Sequence, residues 1–416
     1  MSEAGYIRKR KFQAAFSSLC FYICRVFPIK PNLISVCSFE GKGGFGCNPK
    51  YIVQEIHDRN PEIKFVWFVN DMTKCFPDYI RKVPNTLWSR AYWLSRSKVW
   101  IDNYRKPYGT IKRKEQCYIN TWHATVGFKS IGKWRGDSFS EIAYLVSDND
   151  SRMIDKVLID SEWCREMYPK GLIYGGEFLW AGAPRDDVLY GNREKIKRNF
   201  RIIRNLPDDA KIIMYAPTFR EKKKGGKRSV FSREGSLDGD KLLKSLSIRF
   251  GGNWYLCIRA HPQLINQGTK LIREIDEDRV IDVSHEDDMN ELLAAMDAFI
   301  TDYSSAAMEA GFCRMPVFIY ADDIKEYVED RGSLLLNLSE DTDLDVKNNR
   351  DITPGIDAIL PYPIAKDNEE LAKKIIEFDE KSYNLKSNMF ERNIKLLFDG
   401  KASSRTADYI EQYILR

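Results

Sequence analysis

No apolar run in the 416 residues is long enough to cross a bilayer, and no P-loop and no internal repeat occurs. The nine cysteines are odd in number and dispersed without a Cys-x-x-Cys pair, so neither a disulfide framework nor a structural zinc site is indicated. Cys117, Cys257 and Cys313 sit inside apolar runs and read as small buried residues, in a reducing, cytoplasmic compartment. Charge of one sign is also lacking. Lys and Arg total 65 against 60 Asp and Glu, a net +5 that gives no ground for a nucleic-acid partner. The chain is 43% hydrophobic and 30% charged, which is ordinary globular usage and enough for two domain cores.

The N-terminus combines a basic stretch, Arg8-Lys9-Arg10-Lys11, with an apolar aromatic stretch from Phe12 to Phe27. Gln13, Ser17, Ser18 and Arg25 interrupt it and no small-residue cleavage site follows, which argues against a secretory signal. Residues 1–30 are read either as a basic amphipathic helix on an anionic membrane surface or as a helix packed on the body. Beyond it, strands are expected over 33–39, 64–69, 99–103, 117–122 and 179–182, with helices over 50–58, 89–96 and 158–168. The second half repeats this alternation, with strands over 211–216, 254–260, 279–283, 298–301 and 317–320 and helices over 287–296 and 305–312. Residues 225–234 read as a polar loop, and three helical segments close the chain. Alternating strands and helices imply parallel sheets. The expected architecture is α/β with two Rossmann-like domains, 31–188 and 189–416, and a ligand cleft between them.

The polar chemistry gathers at strand ends. Thr301-Asp302-Tyr303-Ser304-Ser305 ends a strand in a hydroxyl-rich turn that opens a helix, an arrangement able to hold a phosphate. Glu309, one turn on, is placed to take ribose hydroxyls; the plainer reading makes Ser304 or Ser305 a cap and Glu309 a surface residue. Arg259 and His261 leave one face of a strand that Pro262 stops, and suit a pyrophosphate. Thr218 and Arg220 end a third strand of the same domain. In the first half, His123 lies in Thr121-Trp122-His123-Ala124, followed by Lys129, and is a candidate general base. Arg185 forms the basic tip of a sharp turn, Gly182-Ala183-Pro184-Arg185-Asp186. The pairs Asp186-Asp187, Asp287-Asp288 and Asp322-Asp323 read as caps and surface rather than as metal ligands. Gly41-Lys42-Gly43-Gly44 follows the first strand but is set aside as a nucleotide loop for its spacing.

Together these pieces resemble the CDP-glycerol glycerophosphotransferase family of teichoic acid and capsule synthesis, from about residue 33 onward. The matching stretches are Asn48-Pro49-Lys50-Tyr51, Thr121-Trp122-His123, Gly182-Ala183-Pro184-Arg185-Asp186, Ala216-Pro217-Thr218-Phe219-Arg220, Arg259-Ala260-His261-Pro262 and Thr301-Asp302-Tyr303-Ser304-Ser305, with Asp323 and Tyr327 trailing. The sequence departs from the family pattern after His123, where Ala124-Thr125-Val126 replaces Gly-Thr-Pro, and at Cys47, where an acidic residue is common.

The resemblance implies a GT-B-like fold and a CDP-glycerol or CDP-ribitol donor held by the second domain. It implies a lipid-linked saccharide or polyol-phosphate acceptor at the first. It gives His123 as base, His261 with Arg259 as pyrophosphate ligands, and Thr218, Arg220, Ser304 and Ser305 as phosphate contacts. No metal ligand is implied; Mg²⁺ is admissible but not obligatory, and self-association is open. The location implied is the cytoplasmic face of a bacterial membrane, held peripherally. A nucleotide-sugar glycosyltransferase or epimerase on the same architecture would differ by releasing UDP rather than CMP. A non-catalytic scaffold would tolerate change at His123 and His261.

Overall fold

A computed structural model describes residues 3–224, 227–231, 235–260, 271–331, 334 and 359–414. The chain forms two compact units. The first holds residues 1–123, 131–187 and 397–416; the second holds 124–130 and 188–396.

Unit 1 is built on a seven-stranded parallel sheet. Its strands are β1 (Lys30–Cys37), β2 (Lys64–Val69), β3 (Ile80–Pro84), β4 (Ser97–Asp102), β5 (Cys117–Asn120), β6 (Lys156–Ile159) and β7 (Glu177–Trp180), in the order β3-β2-β1-β4-β5-β6-β7. The central strands are apolar on both faces because both faces are covered. Ile34, Val36, Val99 and Ile101 have no exposed surface and pack with Ile52, Val53 and Ile56 of α2 (Cys47–Arg59). The strand order reverses direction between β1 and β4. Such a reversal leaves a crevice beyond the strands' carboxyl ends, the usual ligand position in open α/β sheets.

Helix α1 (Glu3–Cys24) packs on α3 (Leu87–Arg96) with Ile7, Ala14, Ser17, Phe21 and Cys24 buried. Arg113 closes its end by donating to the Cys24 and Phe27 carbonyls. The packed-helix alternative is therefore correct for one face of α1. The opposite face leaves Phe12, Phe16, Leu19 and Ile23 at least half exposed.

Unit 1 also contains α4 (Glu141–Ser151) and α5 (Glu162–Leu172). In unit 2, α6 (Glu194–Ile203) leads into a six-stranded parallel sheet. The strands of unit 2, in chain order, are β8 (Lys211–Tyr215), β9 (Arg220–Lys224), β10 (Lys227–Phe231), β11 (Leu237–Asp238), β12 (Trp254–Ile258), β13 (Ile272–Arg273), β14 (Val280–Asp282), β15 (Ala298–Thr301), β16 (Val317–Tyr320) and β17 (Ile364–Ala365). The sheet runs β14-β12-β8-β15-β16-β17, again reversing, here between β8 and β15. Helices α7 (Gly239–Phe250), α8 (Met289–Ala295), α9 (Ala306–Phe312), α10 (Ile324–Arg331), α11 (Asn368–Ile376) and α12 (Glu380–Asn393) complete the unit.

Three expectations need correction. Lys227–Phe231, read as loop, pairs antiparallel with Arg220–Lys224 as a two-stranded ribbon apart from the main sheet. The helix expected over 158–168 begins only at Glu162, because 156–159 is a buried strand and Ser161 caps α5 through the Cys164 N–H. The closing helix α13 (Ala402–Ile414) does not stay with residues 189–396. It returns to unit 1, where Ala407 and Ile410 enter the core and Arg59 of α2 pairs with Asp408 and Glu411. The Asp-Asp pairs divide. Asp187 caps α13 from a distance by accepting the Ala402 and Ser403 N–H groups, and Asp288 caps α8.

Candidate functional site

In unit 1 the chemistry collects at the carboxyl ends of β1, β4 and β5. After β1 the chain passes through left-handed backbone at Phe39, Glu40 and Gly41, and the Phe39 N–H donates to Asn103 Oδ1 at 2.7 Å. Counted on to Gly46, the glycine run set aside from the sequence has Gly-x-Gly-x-x-Gly spacing. It lies between β1 and α2, where Rossmann folds carry that motif. The Gly41 and Gly43 N–H groups both donate to the Ser38 carbonyl, so this half of the loop is closed on itself.

β4 ends in Asp102, whose carboxylate takes the Lys106 ammonium at 2.6 Å with both side chains buried. β5 ends in Asn120, whose Oδ1 accepts the Trp122 N–H at 2.8 Å. Trp122 itself sits at φ +49°, a conformation that costs a bulky residue about 1–2 kcal/mol. That kink presents His123. The imidazole Nδ1 is 2.6 Å from the Asn103 carbonyl oxygen, which can only accept, so Nδ1 carries the proton and Nε2 the lone pair. Tyr104 stacks on the ring at a centroid separation of 5.3 Å, Trp122 lies at 4.3 Å, and Phe39 meets it edge-on. His123 is half-buried, and its surroundings are dense. Burial pushes its pKa down to about 4; the Asn103 carbonyl opposes this, and the charges of Arg185 and Arg105 add to it.

Arg185, read as the basic tip of a turn and a candidate substrate contact, is 3% exposed. Its N–H donates to Asn48 Oδ1 at 3.0 Å, and its guanidinium lies against Cys47 Sγ and the Asp186 carboxylate. It orders the turn and adds positive charge near His123 rather than presenting a free cation to solvent.

In unit 2 the corresponding place is the end of β8 against β15. Thr301 is fully buried, and its hydroxyl donates to the Ala216 carbonyl at 2.6 Å. Asp302 accepts the Thr218 N–H, the Thr218 hydroxyl, the Tyr303 N–H and one arm of Arg220. Arg220 also takes both oxygens of Asp323, at 2.6 and 2.9 Å, and lies over the stacked rings of Tyr303 and Tyr327. Burial would lower its pKa, but the Asp323 and Asp302 carboxylates raise it further than burial lowers it. Thr218, Arg220, Thr301 and Asp302 were expected to touch substrate. In the structure they form a buried polar brace that fixes the two loops, and the guanidinium is committed to carboxylates.

Ser304 and Ser305 remain half-buried at this place. Ser304 Oγ accepts only a long bond, 3.4 Å, from Ala306, and Ser305 makes no cap bond. Glu309 is not a surface residue: it is buried, and Oε2 accepts from Asn290 Nδ2 at 3.0 Å. Arg259, at the end of β12, donates to the Val283 carbonyl. Burial lowers its pKa against the raising charges of Asp288, Glu286 and Asp287. Lys129, in the short stretch counted with unit 2, lies 5.8 Å from the Phe219 ring centre. His261 lies outside the described residues. Among the described residues no three His, Cys, Asp or Glu side chains gather as a metal site.

Asn103 and Asn120 were missed by sequence reasoning. Each acts through an amide or carbonyl oxygen on a backbone kink, and no residue spacing announces that.

The sequence matches the family of CDP-Glycerol:Poly(glycerophosphate) glycerophosphotransferases over residues 19–342. It is 29% identical to a teichoic acid poly(glycerol phosphate) polymerase of Staphylococcus epidermidis, over 93% of this chain and 51% of that protein. It is 26% identical to a teichoic acid poly(ribitol-phosphate) polymerase of Bacillus spizizenii, over 96% of this chain and 60% of that protein. The chain thus spans little more than half the length of these curated relatives. The solved structure of the wall teichoic acid polymerase TagF superposes with a TM-score of 0.76 at 25% identity, covering 100% of this chain and 99% of that one.

Proposed function

The chain belongs to the CDP-glycerol:poly(glycerophosphate) glycerophosphotransferase family, and on that premise we propose that it moves glycerol phosphate or ribitol phosphate from a CDP-activated donor to an acceptor hydroxyl in teichoic acid synthesis. The acceptor oxygen attacks the phosphorus that bears the polyol. The bond from that phosphorus to the oxygen bridging it to CMP breaks, and CMP leaves with the electron pair. The hydroxyl proton passes to His123 Nε2.

The observation that carries this reading is the Nδ1–Asn103 contact, which leaves a neutral imidazole with its Nε2 lone pair available. The depressed pKa means the ligand-free ring needs no deprotonation before it acts. A donor pyrophosphate brought beside it would raise its basicity, since a nearby anion favours imidazolium.

On unit 2 the donor phosphates are read onto the Ser304/Ser305 turn after β15 and onto Arg259 after β12, the two strands that flank β8; His261, outside the described residues, is kept as a pyrophosphate ligand on the family resemblance alone. Charge stabilisation of this kind supplies most of the rate in phosphoryl transfer. The Arg220–Asp302–Asp323 brace holds that turn in place. Glu309 is assigned to the ribose, with Asn290 orienting it. Changing His123 to Ala should lower kcat for CMP release by about 10²–10⁴-fold with the fold and donor KM retained. Turnover within a factor of two of the unchanged chain would remove His123 from the mechanism.

The acceptor is read as lipid-linked or as a growing polyol phosphate, so the enzyme works at a membrane surface. Support comes from α1. Phe12, Phe16, Leu19 and Ile23 recur at helical spacing on its outward face, and exposed Arg8 and Lys9 flank the stripe. An apolar stripe edged by cations suits an anionic bilayer surface. No described helix is long and apolar enough to cross a membrane.

A further inference from the structure

We infer that Asn48 is a positioning residue for His123, a clip that sets the tautomer and direction of the imidazole without touching substrate. This rests on the reading of His123 as the reacting base, but its test below does not.

Asn48 lies in the first turn of α2 and is 2% exposed. Both ends of its amide are used, and each is used on main chain. Nδ2 donates to the Thr121 carbonyl at 3.3 Å and to the Trp122 carbonyl at 3.1 Å. Oδ1 accepts the Arg185 N–H at 3.0 Å. One side chain therefore joins the start of α2, the turn before His123 and the turn that carries Arg185.

The Trp122 carbonyl is the significant partner. Trp122 has left-handed backbone at φ +49°, which a bulky residue leaves unless its surroundings hold it. Its N–H is held by Asn120, and its carbonyl by Asn48 at 3.1 Å and by the Thr121 hydroxyl at 3.0 Å. The next residue is His123. The direction of the bond into His123 decides whether the ring reaches the Asn103 carbonyl, 2.6 Å from Nδ1, and whether Tyr104 and Trp122 can flank it. Without Asn48 the Trp122 carbonyl keeps only the hydroxyl of the adjacent Thr121, which moves with the turn, and both carbonyls lose their anchor on α2; the backbone can then relax toward right-handed or extended values and turn the ring off that acceptor. The clip also brings Arg185 to the same place, so the charges facing the ring depend on it too.

The chain has four histidines, so histidine-selective ¹⁵N labelling gives a readable spectrum, with His123 assigned by its loss in His123→Gln. Asn48→Asp keeps the shape and the acceptor for Arg185 but replaces the donor to both carbonyls with an oxygen. Asn48→Ala removes the clip without adding charge. Ile52→Val, a buried change on the same helix, is the control for a merely structural effect.

In the unchanged chain His123 should appear as the Nδ1–H tautomer and stay neutral far below the usual histidine range. In both Asn48 variants that tautomer signal should be lost or mixed, and the titration should move up. In Ile52→Val both should stay put. CMP release should fall about 10- to 100-fold in kcat, as for a base displaced by about an ångström, with donor KM unchanged. Folded Asn48 variants whose His123 tautomer and titration match the unchanged chain would overturn the inference, whatever their turnover. A moved His123 signal with unchanged turnover would uphold the clip and refute His123 as the base.

Discussion

Replacing Arg220 by Met removes one cation from between two buried carboxylates. Arg220 is 9% exposed, and Asp302 and Asp323 are 3% and 6% exposed. The guanidinium spans them with three charge-assisted bonds of 2.6–2.9 Å, and a fourth bond reaches the Thr218 carbonyl. Met fills similar volume but leaves two anions facing each other without a counter-charge. Breaking one partner out of such an arrangement costs about 3–5 kcal/mol. Arg220→Lys keeps the charge but not the fork, and loses at least one charge-assisted bond worth about 1.5–3 kcal/mol. Neutralising the carboxylates as well, in Arg220→Met with Asp302→Asn and Asp323→Asn, should recover part of the loss.

The assay is urea unfolding followed by hydrogen exchange at unit 2 amides, since a two-unit chain need not unfold in one step. The order of stability expected is unchanged chain, then Lys, then Met, with the triple variant above Met. An Arg220→Met chain that unfolds at the same urea concentration as the unchanged one, yet binds CDP-glycerol far more weakly, would show that Arg220 spends its charge on phosphate and would refute the brace.

The His123 imidazole must be neutral to accept a proton, and its pKa lies at about 4 in the free chain. kcat/KM should therefore show no loss from this group between about pH 8 and pH 5 and fall only as pH approaches 4; a limb near 6.5 would contradict the buried setting. The same depression makes stability fall as pH drops from about 6.5, where the unfolded histidine starts to bind its proton, toward about 4. Changing Phe12, Phe16 and Leu19 to Ser should lower sedimentation with anionic vesicles by more than tenfold, each apolar side chain being worth about 1.5 kcal/mol or more when buried. Unaltered sedimentation would leave the outward stripe of α1 without this role.

The buried centres of both sheets could be read directly. Residues 64–69, 298–301 and 317–320 are strands to the residue, because runs such as Phe65-Val66-Trp67-Phe68 are covered on both faces and admit little else. Short strands were harder. Ile80–Pro84 buries only Ile80 and Val83 of its five residues, without strand alternation, and its Arg and Lys conceal it. Lys156–Ile159 merged with the apolar start of α5, since periodicity does not separate a short strand from the helix that follows it. The return of α13 to unit 1 brings Ala407 and Ile410 into its core and Arg59 to Asp408 and Glu411, contacts across the sequence that no local pattern carries.

At the candidate site the motifs were legible, while the direction of their side chains was not. Thr301, Asp302 and Arg220 read as phosphate chemistry because hydroxyls and cations at strand ends often are. The structure turns them inward on one another. Arg185 is likewise buried, and Glu309, for which the plainer reading was a surface position, is buried against Asn290. The reverse held for Asn48, which lay in a matched stretch without a role until its amide was seen on the Trp122 carbonyl.

Transfer from a CDP-activated donor is the step to test first. CMP release should be measured from CDP-glycerol and, separately, from CDP-ribitol, each with a lipid-linked acceptor present. Release from one of the two, dependent on acceptor and abolished in His123→Ala, is the predicted result. No release from either, with UDP formed from a nucleotide sugar instead, would contradict it.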